Sequence, residues 1–150
     1  MIKEILRYID FKRRNIKVWK PCKIYSSAKI GKNVSIGCFS EVGPNVEIGE
    51  GTRVGMGCFI PEGVEIGKDC FIGPRSCFSN DMFPPSPKSE WRKTVIEDNV
   101  SIGANVSIRP GTTIKSGSLI GMGTVLTHDV PGEEIWVGNP GKKLKENGRK

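Results

Sequence analysis

A chain of 150 residues with 37% hydrophobic and 7% aromatic residues makes one ordinary domain without a bulky aromatic core. Its net charge of +7 sits at the ends: residues 1–32 hold ten Lys or Arg against two acids and residues 139–150 five against one, which leaves an acidic middle. A nucleic-acid reader carries a basic stripe interleaved with aromatics, so nucleic acid is excluded as the main partner. No apolar run of membrane-spanning length occurs, and Met1-Ile2-Lys3-Glu4-Ile5 has charges where a secretory signal needs an apolar stretch, which predicts a cytoplasmic protein without membrane insertion. The five cysteines form no CxxC pair and there is one histidine, so neither a zinc site nor a disulfide framework is expected, and no metal.

In chain order, Ile2, Ile5, Leu6 and Ile9 have helical spacing, and Ile16-Lys17-Val18-Trp19 reads as a strand. Residues 1–19 thus form a lead-in segment. From there a hexapeptide period takes over. Aliphatic or aromatic anchors fall at Ile24, Ile30, Ile36, Val42, Ile48, Val54, Ile60, Ile66, Ile72 and Phe78, and the phase resumes at Ile96, Ile102, Ile108, Ile114, Ile120 and Leu126. Glycine follows many anchors, as at Gly37, Gly55, Gly73, Gly103 and Gly121, and a small or β-branched residue lies four positions after each anchor but Phe78.

Neither a helix nor a simple strand has this period. It predicts an all-β prism in which each hexapeptide is one face and three hexapeptides close a coil. Anchor and small residue both point inward, glycine relieves the corner, and residues three hexapeptides apart become vertical neighbours. Five to six coils would cover residues 20–131. Cys22, Cys58 and Cys70 fall in the small inward slot, where free thiols serve as core fillers.

The repeat breaks once, between Phe78 and Ile96, and Pro84, Pro85 and Pro87 forbid an ordinary face there, so a loop over 81–94 is extruded. Phe78-Ser79-Asn80-Asp81 stands at its mouth. Counting back one coil from Asn80 gives Glu62, so an acid and an amide share a column with Asp81 beside them. Two readings stand side by side: a pocket for a ligand with hydroxyls or an amine, and a simple turn started by Asn80 and Asp81. The stretch from Phe78 to Ile96 equals three hexapeptides in length and reads as one coil's worth of chain. After Leu126, His128 to Gly132 is a turn, Ile135-Trp136-Val137 a closing strand, Gly138 to Gly141 a second turn, and Lys142 to Lys150 a basic tail or short helix within the C-terminal segment 132–150.

Several stretches resemble the nucleotide-sugar N-acetyltransferases of the left-handed β-helix superfamily. They are Phe78-Ser79-Asn80-Asp81-Met82-Phe83-Pro84, Trp91 with Thr94, Val100 to Ile108, Thr127-His128-Asp129-Val130-Pro131 and Val137-Gly138-Asn139-Pro140. The group they are most similar to is the 3-N-acetyltransferases of UDP- or dTDP-linked 3-amino sugars. The resemblance implies left-handed winding, a homotrimer, and acetyl-CoA as acyl donor to the amine of a nucleotide-linked amino sugar, in cell-surface polysaccharide synthesis. Asn80, Glu62 and Asp81 match the acceptor site, with an oxyanion donor expected near Asp98. Ala104, Gly121 and His128 match the cofactor stretch, and Arg109, Lys115, Lys142 or Lys143 the contacts to its phosphates. Pro85 stands where relatives often carry Arg, so Arg75, Lys88, Arg92 or Lys93 are candidates for that residue's anion contact. Enzymes of this type that acylate hydroxyls rely on a His base, whereas His128 lies in a turn where relatives often carry Lys. Hydroxyl acylation and a non-catalytic trimeric scaffold are the two alternatives to amine acetylation.

Overall fold

The computed structural model describes residues 2–148. Its body is a parallel β-helix with the hexapeptide repeat of a left-handed one, built from two-residue strands in three sheets. Face A stacks Lys17–Val18, Ser35–Ile36, Arg53–Val54, Phe71–Ile72, Ser101–Ile102, Leu119–Ile120 and Glu134–Val137. Face B runs from Lys23–Ile24 to Val125–Leu126, and face C from Lys29–Ile30 to Thr113–Ile114. Face A therefore has seven rungs. Face B has six rungs and face C five, within the expected five to six coils; face A gains its extra rungs because Lys17–Val18, in phase but ahead of the first anchor counted, and Glu134–Val137, out of phase, pair onto the first and last repeats.

The anchors and the small residues four positions on form one continuous core: Ile36, Val42, Ile60, Ile72, Phe78, Ile96, Ile102, Ile114, Ile120 and Leu126 are fully buried, with Val34, Val46, Cys58, Cys70, Val100 and Val106 between them. Burial raises the thiol pKa of Cys58 and of Cys70, which fits inert filler rather than reactive sulfur. Ser40, Thr52 and Ser76 take the same slot and are equally buried. Their hydroxyls donate to carbonyls of the next coil, Ser40 to Gly55 O at 3.0 Å and Thr52 to Gly67 O at 2.7 Å. Buried hydroxyls are tolerated here because the winding backbone supplies an acceptor at every rung.

Glycine after the anchor has a different role from the one expected. The left-handed φ of each corner falls two residues later, as at Asn33, Asn45, Asn99 and Asn105. At Gly37 a Cβ would instead meet Met56 N at 2.5 Å and Gly55 C at 2.7 Å in the coil above. Close stacking of backbones, rather than turn strain, selects glycine there.

The loop also departs from the expected count. Across it, Glu65 pairs with Val95 and Cys77 with Ser107, five hexapeptides on in the sequence, where Lys17 and Ser35 show the ordinary three. The chain from Phe78 to Ile96 makes one step from face B to face C rather than one coil, an insertion as long as two hexapeptides. Asp98 accordingly leaves the Asn80 column. It lies one rung above Lys68, whose backbone N–H donates to Asp98 Oδ1 at 2.7 Å.

The lead-in contains the expected helix, Ile2–Arg13. Leu6 and Ile9 on it are exposed, and the helix grips the prism through other residues; Ile2 and Ile5 side chains lie outside the described ones. Phe11 packs on the core. Arg7 donates to Ile24 O at 2.9 Å and Tyr25 O at 3.0 Å, and Arg14 to Ile30 O at 2.5 Å, so guanidinium groups cover the lowest carbonyls of faces B and C. At the other end the basic tail, over residues 142–146, is neither free nor helical. Lys142–Glu146 forms an antiparallel hairpin with Glu134–Val137, because the buried Glu134 carboxylate recruits Lys143 Nζ and Trp136 Nε1, both at 2.7 Å. No helix among the described residues is long and apolar enough to cross a membrane.

Candidate functional site

The loop leaves the prism at the corner between faces B and C. Along that corner the residues two places after the anchors Ile60, Phe78, Ile108 and Leu126 are Glu62, Asn80, Pro110 and His128. Glu62 and Asn80 are adjacent, as the coil period predicted, and Asn80 Nδ2 donates to the backbone carbonyl of Glu62 at 3.4 Å. This contact uses the amide nitrogen and leaves Oδ1 as the group's acceptor. The loop returns to the same place, where Arg92 N donates to Asn80 O at 2.8 Å.

Between corner and returning loop lies a hollow of about 190 Å³, lined by Glu62, Gly63, Asn80, Lys88, Trp91, Arg92 and Lys93. Lys88 Nζ donates to Glu62 Oε2 at 2.5 Å and stands 5.3 Å from the centre of the Trp91 ring. Trp91 Nε1 is buried with no hydrogen-bond partner. Lys93 pairs with Glu65 on face C.

Asp81 faces the loop instead of the hollow. Its carboxylate accepts from Ser86 Oγ at 2.5 Å, Ser86 N at 2.8 Å and Phe83 N at 3.1 Å, and the Ser86 hydroxyl holds it below the usual carboxylate range. The turn reading thus describes Asp81, while Asn80 and Glu62 belong to the hollow.

His128 shares the corner with Asn80, with Pro110 between them, so about two strand spacings, or roughly 10 Å, separate the two. Its Nδ1 is 2.9 Å from Thr127 Oγ1 and the ring is exposed. Arg109 on this corner donates to Thr127 O at 2.8 Å.

Ala104 and Gly121 sit elsewhere, on the corner between faces A and B, across the whole of face B from Asn80. Gly121 borders a shallow hollow of about 430 Å³ on face A with Arg53, Phe71, Leu119 and Met122. Lys143 is held by Glu134 and Glu146 in the closing hairpin, and that contact with Lys143, more than the indole, depresses the Glu134 pKa. A hollow of about 470 Å³ on face C runs beside self-paired charges such as Lys29 with Glu47 at 2.6 Å. No cluster of three or more potential metal ligands occurs among the described residues.

Sequence reasoning placed Glu62 and Asn80 together but missed the pairing of Lys88 with Glu62 and the place of Trp91 over it. The available signal was a cation and an aromatic three positions apart behind Pro87; the Lys88–Glu90 turn of 3₁₀ helix puts such positions on one side.

No curated protein sequence matches the chain. Among solved structures, a His-to-Ala variant of GDP-perosamine N-acetyl transferase from Caulobacter crescentus, in complex with CoA and GDP-perosamine, superposes with a TM-score of 0.76 at 17% identity, over 95% of this chain and 65% of that one. The acetyltransferase domain of PglB from Neisseria gonorrhoeae in complex with acetyl coenzyme A gives 0.76 at 22%, over 94% and 66%. A maltose O-acetyltransferase from Clostridium difficile gives 0.64 at 24%, over 94% and 75%. The chain spans just under two thirds of the length of the first two, and at these identities the likeness establishes a shared fold. The bacterial transferase hexapeptide profile (six repeats) matches residues 27–62, 45–80 and 93–128, which together exceed half the chain and leave out the loop. On that repeat, and on the prism it builds, the chain belongs to the bacterial transferase hexapeptide family.

Proposed function

We propose that the protein is an acetyl-CoA-dependent N-acetyltransferase acting on the amine, a 3-amino group, of a nucleotide-linked deoxy sugar, as a homotrimer in the cytoplasm. The observation that carries this reading is the Asn80 amide, tethered through Nδ2 to the Glu62 carbonyl inside a polar hollow under the loop. Its Oδ1 is directed to accept from an amine N–H. A neutral amine is already a good nucleophile, so holding it against the thioester carbonyl supplies much of the acceleration. Nitrogen bonds to the acetyl carbon, the carbon–sulfur bond breaks, and CoA leaves as thiolate. The Glu62 carboxylate takes the proton shed by nitrogen. Asp81 contributes by shaping the loop.

The separation of the two half-sites supports the trimer. Acceptor residues lie on the corner between faces B and C, whereas Ala104 and Gly121 lie across face B, so one chain cannot bring them together. In a three-fold ring, one chain's acceptor corner faces the next chain's corner between faces A and B. That second corner exposes Phe39, Met56 and Met122, at 67%, 46% and 80%, an apolar edge that a neighbour would cover. The pantetheine would lie along the face A hollow beside Gly121. Arg109, Lys115 and Lys142 are the cations available to its phosphates, and Lys143 would first have to leave Glu134 and Glu146. His128 is a surface or cofactor-contact residue in this reading.

Titration with acetyl-CoA in a calorimeter, followed by thiol release with UDP- and dTDP-linked 3-amino sugars, tests the proposal. Binding without turnover of any amine, or turnover of sugar hydroxyls only, overturns it. A monomer in sedimentation at micromolar concentration removes the trimeric site.

A further inference from the structure

Resting on the proposed function, we infer that Glu62 and the Trp91 ring, beside Asn80, form a subsite for a primary ammonium group, and that Lys88 of the same chain occupies it until substrate arrives. A primary ammonium is recognised by a carboxylate that takes its hydrogen bonds and an aromatic face that replaces part of its water. Lys88 Nζ has both, Glu62 Oε2 at 2.5 Å and the Trp91 ring centre at 5.3 Å. The side chain is 67% exposed along its length, yet its head group turns inward to a carboxylate that is 27% exposed. Long lysines usually do the reverse and send the charge to water. Lys93 is engaged with Glu65, so among the described residues Lys88 supplies the ammonium found at Glu62.

An exposed ion pair of this kind contributes little stability, which is what a displaceable occupant requires. A sugar carrying its amine as ammonium would enter by exchanging with Lys88 and shed its first proton to solvent, which leaves a neutral nitrogen beside Asn80 and an ionised Glu62 to take the second proton as the carbon–nitrogen bond forms. Substrate discrimination follows: an acceptor bearing a hydroxyl in place of the amine brings no charge with which to displace Lys88.

The test is steady-state kinetics with whichever 3-amino sugar nucleotide the wild-type protein turns over. Lys88→Met is expected to lower the acceptor KM about fivefold, with the acetyl-CoA KM unchanged, because the acceptor no longer competes with an internal ammonium. Lys88→Arg, which keeps the charge, returns the KM toward wild type. An acceptor KM that rises in Lys88→Met makes Lys88 a substrate contact and overturns the inference, as does an unchanged one, while amine turnover by the wild type still upholds the proposed function. A wild-type protein that binds acetyl-CoA and turns over no amino sugar overturns both.

Discussion

Two corners of one prism have been put to opposite uses. The corner between faces A and B carries glycine after the anchor in coil after coil, at Gly37, Gly55, Gly73, Gly103 and Gly121, and at the first four the backbones stack too closely to admit a Cβ, while at Gly121 the Val137 side chain fills the space. The corner between faces B and C keeps Gly43 and then abandons the pattern, with Pro61, Ser79, Arg109 and Thr127 in the same place. The loop leaves at that corner, and the hollow with Glu62, Asn80 and Trp91 is there. Close stacking leaves the first corner a smooth edge, so the polar side chains of the proposed acceptor site collect where the stacking is relaxed.

The contrast is open to direct attack. The largest expected effect is on stability: Gly37→Ala drives its Cβ against backbone of the next coil and should cost about 3 kcal/mol, whereas Thr127→Ala, at the equivalent place on the relaxed corner, should stay within about 0.5 kcal/mol. Chemical denaturation of the two variants measures the difference, and equal losses would erase the distinction. On the relaxed corner, Asn80→Ala should lower kcat about a hundredfold with an unchanged melting temperature, because the amide serves the amine and not the core.

Asp81 sharpens the picture through pH. Its carboxyl is depressed in the folded loop, so its contribution to loop order is full above the ordinary carboxylate range and is lost as pH falls through the lowered value. Amide exchange at Phe83 and Ser86, which both donate to it, should be slow at neutral pH and speed up in acid. Asp81→Ala should show that fast exchange already at neutral pH and raise the acceptor KM about tenfold, with acetyl-CoA binding intact. The smallest effect is expected for His128→Ala, within about twofold in kcat, since about 10 Å is beyond hydrogen-bond reach of a group held at Asn80. An inactive His128→Ala beside a fully active Asn80→Ala would transfer the function to hydroxyl acylation.

The prism was legible because its core is written once per hexapeptide, and the Glu62–Asn80 column because both lie before the insertion. The Asp98 register was misread for a physical reason: three hexapeptides make a coil, and the same length arises when one face-to-face step carries two hexapeptides' worth of extra chain. Only pairing across the break distinguishes the two. The C-terminal strand was hidden because its partner lies outside the repeat, and its charges read as solvated until Glu134 claims Lys143. Lys88 over Trp91 depends on how the loop folds back, which no period encodes.

A stack of identical rungs carries no instruction about where to stop, and an unpaired rung is a template for another copy. The lower end answers this with Arg7 and Arg14, whose forked donors occupy Ile24 O and Ile30 O, the carbonyls a further rung would use on faces B and C. The arginines therefore cap faces B and C: they occupy carbonyls that the N–H groups of another copy's rung would otherwise find free.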